Sequence, residues 1–303
     1  MASTWEGVYT ALTTKFKESG EIDLAAMEAH IDRQLSAGVH GIIVLGSLGE
    51  NGSLSAAEKQ EVVKSAVAAC RGKAPAIACV AETTTADACA CARSAARSGA
   101  SGLMLLPPMR YASDERETEQ YLRTVAAAAD VPVMLYNNPV SYRIDVTPAM
   151  FARLADEPKF VAIKESSDNV RRITDIRNLV GDRYAIFTGV DDIALESLLL
   201  GCSGWVAGLV CAFPRETVAL YRYVKERRIE EAIALYRWFM PLLHLDVSVK
   251  FVQNIKLAEA KADGGSERVR APRLPLAGEE RARVEAVIAH ALATRPRLPG
   301  VQP

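Results

Sequence analysis

VAIKESSDN, residues 161–169, starts as the interior of a β-strand and turns abruptly to charge. Val161, Ala162 and Ile163 suit a pleated, buried surface. Lys164 follows them directly, and an amine at the end of a buried strand is costly unless it is paired or put to chemical use. The stretch belongs to a series. Runs rich in Val, Ile and Leu recur at GVYTALTT (7–14), GIIVLG (41–46), PAIACVA (75–81), GLMLLPP (102–108), PVMLYN (132–137), FVAIKES (160–166), YAIFTG (184–189) and GWVAGLV (204–210). Segments of helical periodicity separate them, including LAAMEAHIDRQLSAG (24–38), SAAEKQEVVKSAVAACRG (55–72) and VRRITDIRNLVG (170–181), several with Ser, Thr or Asp near the start and Gly at the end. Strands buried on both faces and alternating with helices predict an α/β protein with a parallel sheet. Eight such units predict closure as a (β/α)8 TIM barrel, with an open doubly wound sheet as the alternative.

The rhythm changes after residue 228. IEEAIALYRWFMPLLHL (229–245), SVKFVQNIKLAEAKA (248–262) and GEERARVEAVIAHALATR (278–295) read as helices with no strands between them. The predicted organisation is a catalytic barrel over 1–228 and a C-terminal helical extension over 229–303 packed on it. The apolar faces of that extension also suit contacts between subunits.

Composition narrows the partner. Lys plus Arg (36) balance Asp plus Glu (37), and no long block of like charge appears, so neither nucleic acid nor an anionic membrane has an electrostatic footprint here. No apolar run approaches the roughly 20 residues that span a bilayer, and MASTWEGVYTALTTKF lacks the pattern of an export signal. A soluble, cytoplasmic protein acting on a small molecule is expected, with its six cysteines reduced.

Active-site groups of such a barrel come from the C-terminal ends of the strands. Those ends supply Thr13 and Thr14, the GSLGE loop (46–50), Glu82 and Thr83, YNN (136–138), Lys164 and Glu165, GVDD (189–192), and Gly208. Histidine is missing from this set, since His30, His40, His244 and His290 fall in predicted helices, at helix ends or in the tail. A histidine zinc site or a Ser-His-Asp triad therefore has little material. Glu50, Glu82, Glu165, Asp191 and Asp192 are the carboxylates that could hold magnesium.

Lys164 is the sharpest candidate. A desolvated amine loses part of its preference for the charged form and can attack a carbonyl to form a Schiff base. Pairing with Glu165 is the bland alternative, but strand alternation sends Glu165 to the opposite face. Tyr136 ends the neighbouring strand, where a phenol can shuttle protons or simply fill the barrel. Gly46, Ser47 and Gly49 form an anion-binding nest suited to a carboxylate or phosphate. Its spacing matches neither a Walker loop nor a dinucleotide fingerprint.

Taken in order, GSLGE after strand two, YNNP after strand five and IKES after strand six resemble the dihydrodipicolinate synthase and N-acetylneuraminate lyase family of Schiff-base-forming aldolases and dehydratases. The resemblance covers the whole chain. It implies Lys164 as the Schiff-base lysine, Tyr136 as the proton-shuttling tyrosine, and Ser47 with the backbone N–H of Ser47 and Leu48 as the clamp on a keto-acid carboxylate. Gly189, Asp191 and Gly208 complete the implied substrate-binding set. No metal and no organic cofactor are implied, and the expected assembly is a homo-oligomer, a dimer or tetramer.

The departures are as informative. Family members that make dihydrodipicolinate carry a second hydroxyl where this chain has Leu48, and an arginine where it has Ser141, with Arg143 two residues on. The tyrosine they take from a neighbouring subunit is displaced, since Met109 and Arg110 stand at its place and Tyr111 beyond. Asp191 and Asp192 occupy the region where sialic-acid lyases read the sugar tail. The combination of GSLGEN, YNNPVSYRIDVTP and AIKESSDNVRRITDI resembles most the branch of 1-pyrroline-4-hydroxy-2-carboxylate deaminases, which act on a cyclic imine of a keto acid. A dehydratase or aldolase for a 2-keto-3-deoxy sugar acid, or a barrel that binds ligand without chemistry, are the rival expectations.

Overall fold

The computed structural model describes residues 5–108 and 111–298. Eight parallel strands close on themselves in chain order: β1 (Gly7–Ala11), β2 (Gly41–Val44), β3 (Ala76–Val80), β4 (Gly102–Leu105), β5 (Val133–Asn137), β6 (Phe160–Glu165), β7 (Ala185–Thr188) and β8 (Gly204–Ala207), with β8 paired back to β1. The expected TIM barrel is present, and the open sheet is excluded by that closure. Helices α1 (Leu24–Ser36), α2 (Ala56–Cys70), α3 (Thr85–Arg97) and α4 (Glu115–Ala127) follow the first four strands. The short α5 (Pro139–Tyr142) and α6 (Pro148–Arg153) follow β5, and α7 (Arg171–Val180), α8 (Ala194–Leu199) and α9 (Pro214–Lys225) follow the last three. The helical C-terminal part consists of α10 (Ile229–Leu243), α11 (Phe251–Asp263) and α12 (Gly278–Ala293).

The first helices start where side chains can take up free N–H groups. Ser55 with Glu58 and Asp114 with Glu117 form reciprocal capping boxes on α2 and α4, and Asp23 and Thr84 cap α1 and α3. Inside the barrel the rings of Tyr9 and Phe187 meet edge to face at 5.0 Å. Glycines make that layer possible, since a Cβ on Gly41 would lie 2.7 Å from the Tyr9 ring and one on Gly204 would lie 2.3 Å from Phe187. The interior is thus filled below the strand ends, and only the C-terminal mouth can host chemistry. All six cysteines are free thiols. Among the described residues, no helix is long and apolar enough to cross a membrane.

The C-terminal helices are tied to that mouth by buried charge. Lys256 of α11 pairs with Glu50 of the loop after β2, both side chains being 0% exposed. The Glu50 carboxylate also accepts the backbone N–H of Arg270 at 3.0 Å. One turn further along α11, Glu259 pairs with Lys15 and accepts the Thr13 hydroxyl at 2.7 Å, both from the segment after β1. Such pairs gain little over an apolar replacement, yet losing one partner strands a charge out of water. Lys256→Met alone should therefore lower unfolding stability by about 3–5 kcal/mol, and Glu50→Gln/Lys256→Met should recover much of that loss in denaturant titration. Equal losses in the single and double variants would remove the stranded-charge account.

Candidate active site

Parallel pairing sets the first two groups side by side. Tyr136 of β5 is the register partner of Lys164 of β6, and Asn137 is the partner of Glu165. Lys164 and Tyr136 are buried, and the lysine Nζ lies 4.1 Å from the centroid of the tyrosine ring. The amine thus faces the ring's negative π surface, while the phenol oxygen lies at the ring edge. Burial pulls the Lys164 pKa down, partly opposed by the neighbouring Tyr142 and Asp191. Burial also pushes the Tyr136 phenol up to about 12, so at neutral pH it is a proton donor. Gly189, at the end of β7, leaves the space that Lys164 fills, since a Cβ there would meet the lysine Cε at 2.4 Å.

On the opposite face, the Asn137 side-chain amide donates to Glu165 at 3.1 Å and its Oδ1 accepts the N–H of Val146 at 2.8 Å. Arg172 reaches across to Asp145 at 2.7 Å. These bonds hold the segment between β5 and α6. Within it, Asn138 caps α5 by accepting the N–H of Ser141 at 2.9 Å, and its amide donates to the Tyr136 hydroxyl at 3.2 Å. The short helix turns Tyr142 inward. Its hydroxyl is hydrogen-bonded to Ser47, and its ring stands edge-on to Tyr136 at 5.8 Å.

Tyr142 was absent from the residues singled out in the sequence. The capping asparagine followed by proline, NNPVSY, was the one local signal that this tyrosine is swung back toward the strand ends. Ser141 and Arg143 are both exposed, and Arg143 takes a left-handed backbone conformation with φ 63°. Met109 and Arg110 lie outside the described residues, and Tyr111 beside them is 58% exposed.

The loop after β2 supplies the nest. Thr14 donates to the carbonyl of Gly49 at 2.6 Å and steadies its turn. Among the described residues, no backbone hydrogen bond uses the N–H of Ser47 or Leu48, so neither is taken up by the main chain. The Leu48 side chain itself is buried. A buried amine, a phenol and an anion nest therefore share the C-terminal mouth of a (β/α)8 barrel, which is the equipment for imine chemistry on a keto acid.

Residues 4–291 match the model of the Dihydrodipicolinate synthetase family. The chain belongs to that family. Its relatives in the family include a 4-hydroxy-tetrahydrodipicolinate synthase of Exiguobacterium sibiricum, 32% identical over 303 residues that cover 98% of this chain and 99% of that protein. Among solved structures, dihydrodipicolinate synthase from Aquifex aeolicus superposes with a TM-score of 0.89 at 27% identity, covering 94% of this chain and 98% of that one. YagE, a prophage protein from E. coli K12 solved in complex with pyruvate, superposes with a TM-score of 0.90 at 25% identity, covering 96% of this chain and 99% of that one. This is a dihydrodipicolinate synthetase family lyase, of the Schiff-base type.

The remaining residues expected at the site of this family member are engaged as follows. Asp191 points under the end of β8, accepting from Trp205 Nε1 at 2.9 Å, Gly208 N at 3.2 Å and Leu209 N at 2.8 Å. Asp192 pairs with His244 at 2.9 Å, and Glu82 with Lys59 at 2.6 Å. The five carboxylates considered for magnesium thus have separate partners and do not converge. Among the described residues, the metal-type donors that do come together are His30, Cys211 and Glu259, within 4.8 Å of one another. That cluster, which the sequence reading did not anticipate, already holds the Lys15 ammonium on Glu259.

The lowered Lys164 pKa has a sign that can be checked. A depressed value exposes the neutral nucleophile at lower pH than in a free lysine, so imine capture should rise with pH. Borohydride trapping of pyruvate on Lys164 should reach half its maximum below the ordinary lysine range. A midpoint at or above that range would remove the desolvation argument.

Proposed function

We propose that this lyase is a 1-pyrroline-4-hydroxy-2-carboxylate deaminase, opening a cyclic imine and releasing 2,5-dioxopentanoate and ammonia. The observation that carries the reading is that Tyr142 stands against Ser47 beside Tyr136, where members that make dihydrodipicolinate rely on other groups. The hydroxyl missing at Leu48 is supplied from the same chain by Tyr142, so Tyr136, Tyr142 and Ser47 form a relay. Among the described residues, Ser141 stands where dihydrodipicolinate-forming members carry the arginine for a second carboxylate, and Arg143 beyond it is exposed. A substrate with a single carboxylate fits this equipment better than a dicarboxylate. The pyruvate held by a structurally similar protein supports the keto-acid class.

In this reading the substrate carboxylate sits on the N–H groups of Ser47 and Leu48. Lys164 attacks C2, the ring nitrogen leaves as an amine on C5, and a lysine imine remains. That imine acts as an electron sink: Tyr136, having given its own proton to the departing ring nitrogen, removes a proton from C3 as the phenolate, and the C4 hydroxyl departs as water. Rearrangement carries the unsaturation to C5, and hydrolysis of the C5 imine and of the lysine imine gives the aldehyde, the keto acid and ammonia. One substrate and one net water yield one dioxopentanoate and one ammonia.

Ammonia is the discriminating product. The purified protein should release it from the pyrroline substrate in step with 2,5-dioxopentanoate, and Lys164→Ala should abolish both. Tyr136→Phe and Tyr142→Phe should each lower kcat, by on the order of 10²-fold or more for Tyr136. Turnover of a 2-keto-3-deoxy sugar acid without ammonia release from the pyrroline, or formation of dihydrodipicolinate, would replace this reading with one of its rivals.

A further inference from the structure

The proposed reaction needs a proton donor at the far end of the substrate. With the carboxylate on the loop after β2 and C2 on Lys164 of β6, Tyr136 and Tyr142 close the side over β5. The remaining strand ends beside Lys164 are those of β7 and β8, where Gly189 and Gly208 leave room for side chains from elsewhere. A side chain at Gly208 is ruled out by a visitor from the C-terminal helices, since its Cβ would lie 2.2 Å from Oδ1 of Asp246. Asp246 sits in the turn between α10 and α11, its N–H donating to Leu243 at 3.0 Å. That turn is moored on both sides. His244 pairs with Asp192 at 2.9 Å, and Asn254 of α11 donates to the carbonyl of Leu245 at 3.0 Å.

Two carboxyl groups therefore meet at the end of β8 in opposite surroundings. Asp191 accepts one indole N–H and two backbone N–H groups. Among the described residues, the Asp246 carboxyl accepts no hydrogen bond and joins no ion pair, although it is close enough to Lys164, Asp191 and Asp192 to feel their charge. Donors stabilise the anion at Asp191, and their lack leaves Asp246 the group that keeps its proton.

We infer that Asp246 is the acid that protonates the departing C4 hydroxyl, an assignment that rests on the deaminase reading. After Tyr136 has taken the C3 proton, the enamine nitrogen's electron pair re-forms the iminium and the C2=C3 pair becomes a C3=C4 bond. The C4–O bond breaks as Asp246 transfers its proton to the oxygen, and water leaves. The Asp246 carboxylate then removes a C5 proton from the conjugated iminium, which restores the acid and gives a dienamine. Tyr136 returns its proton to C3, and the remaining C4=C5 enamine takes a proton at C4 from water to become the C5 imine that is hydrolysed. The directions of titration agree with these roles: burial and the neighbouring Asp191 charge raise Asp246 well above the carboxylate range, whereas burial raises Asp191 only to about 6 because the Leu209, Trp205 and Gly208 N–H groups oppose it.

The test separates early steps from late ones. Pyruvate lacks a C4 hydroxyl, so borohydride trapping on Lys164 and exchange of its methyl protons with D2O report imine and enamine formation alone. Asp246→Asn should keep trapping and exchange within about 3-fold of the parent protein while slowing ammonia release from the pyrroline at least 100-fold, on the scale of a lost general acid. Asp246→Glu should restore part of that rate. Deamination at the parental rate in Asp246→Asn would overturn the assignment, as would parallel loss of exchange and deamination, which would mean that Asp246 acts through Lys164. If the parent protein itself releases no ammonia from the pyrroline, the deaminase reading falls and the assignment with it. Failure confined to the variant comparison leaves that reading intact.

Discussion

Desolvation of one amine is the constraint on which the site depends. Lys164 is kept from water by its position at the end of β6, by the face of the Tyr136 ring and by the filled barrel below. Each of these follows from the sheet. Register places Tyr136 beside it, Gly189 leaves room for its side chain, and Tyr9 with Phe187 plugs the interior so that water cannot enter from beneath. A lysine in that setting is a liability to folding, because its charged form is disfavoured. The same penalty makes the neutral amine accessible, so the stability cost and the chemical usefulness have one physical origin.

A second dependence runs from the mouth to the C-terminal helices. The loop carrying Ser47 ends in Glu50, whose backbone is left-handed at φ 55° and whose carboxylate is fixed by Lys256. Glu259 fixes the segment after β1 through Lys15, and Asp192 after β7 is fixed by His244. Three of the eight strand ends thus take their shape from residues beyond 228. Buried ion pairs add little net stability, but they demand a unique geometry. The anion nest inherits its geometry from that demand, while the turn that brings Asp246 over Gly208 is held by hydrogen bonds of the exposed His244 to Asp192 and of Asn254 to Leu245.

The fold was legible because it rests on period and repetition. Eight runs of buried, β-branched character separated by helical segments left a closed barrel or an open doubly wound sheet, and the strand boundaries in the structure fall inside the runs read from sequence. The juxtaposition of Lys164 and Tyr136 was legible for the same reason, since adjacent parallel strands align their ends. Tyr142 was not legible, because its direction depends on the Asn138 cap and on the Asn137, Asp145 and Arg172 bonds, which join residues distant in sequence. Asp191 looked like a group for the substrate, but an indole and two backbone N–H groups that only the folded β8 brings together take up its carboxylate. Asp246 was invisible for a related reason, being one polar residue in a surface-like turn until the packing of α10 and α11 aims it at the barrel.

These placements suggest why one barrel with one lysine supports different reactions. Imine formation needs only the desolvated amine and an anchor for the adjacent carboxylate, and both are built from strand ends and one loop. What happens after the imine depends on which groups stand beyond it, and those are set by the connections. In this chain the loop after β5 contributes the Tyr142 phenol beside Ser47, and the turn after α10 contributes a carboxyl that accepts no hydrogen bond among the described residues. Gly208 is the residue that lets the second of these reach the site, since even a methyl group there would collide with the Asp246 carboxylate. Choice of reaction is then a matter of what the glycine floor admits and from where, while the lysine and its strand remain unchanged.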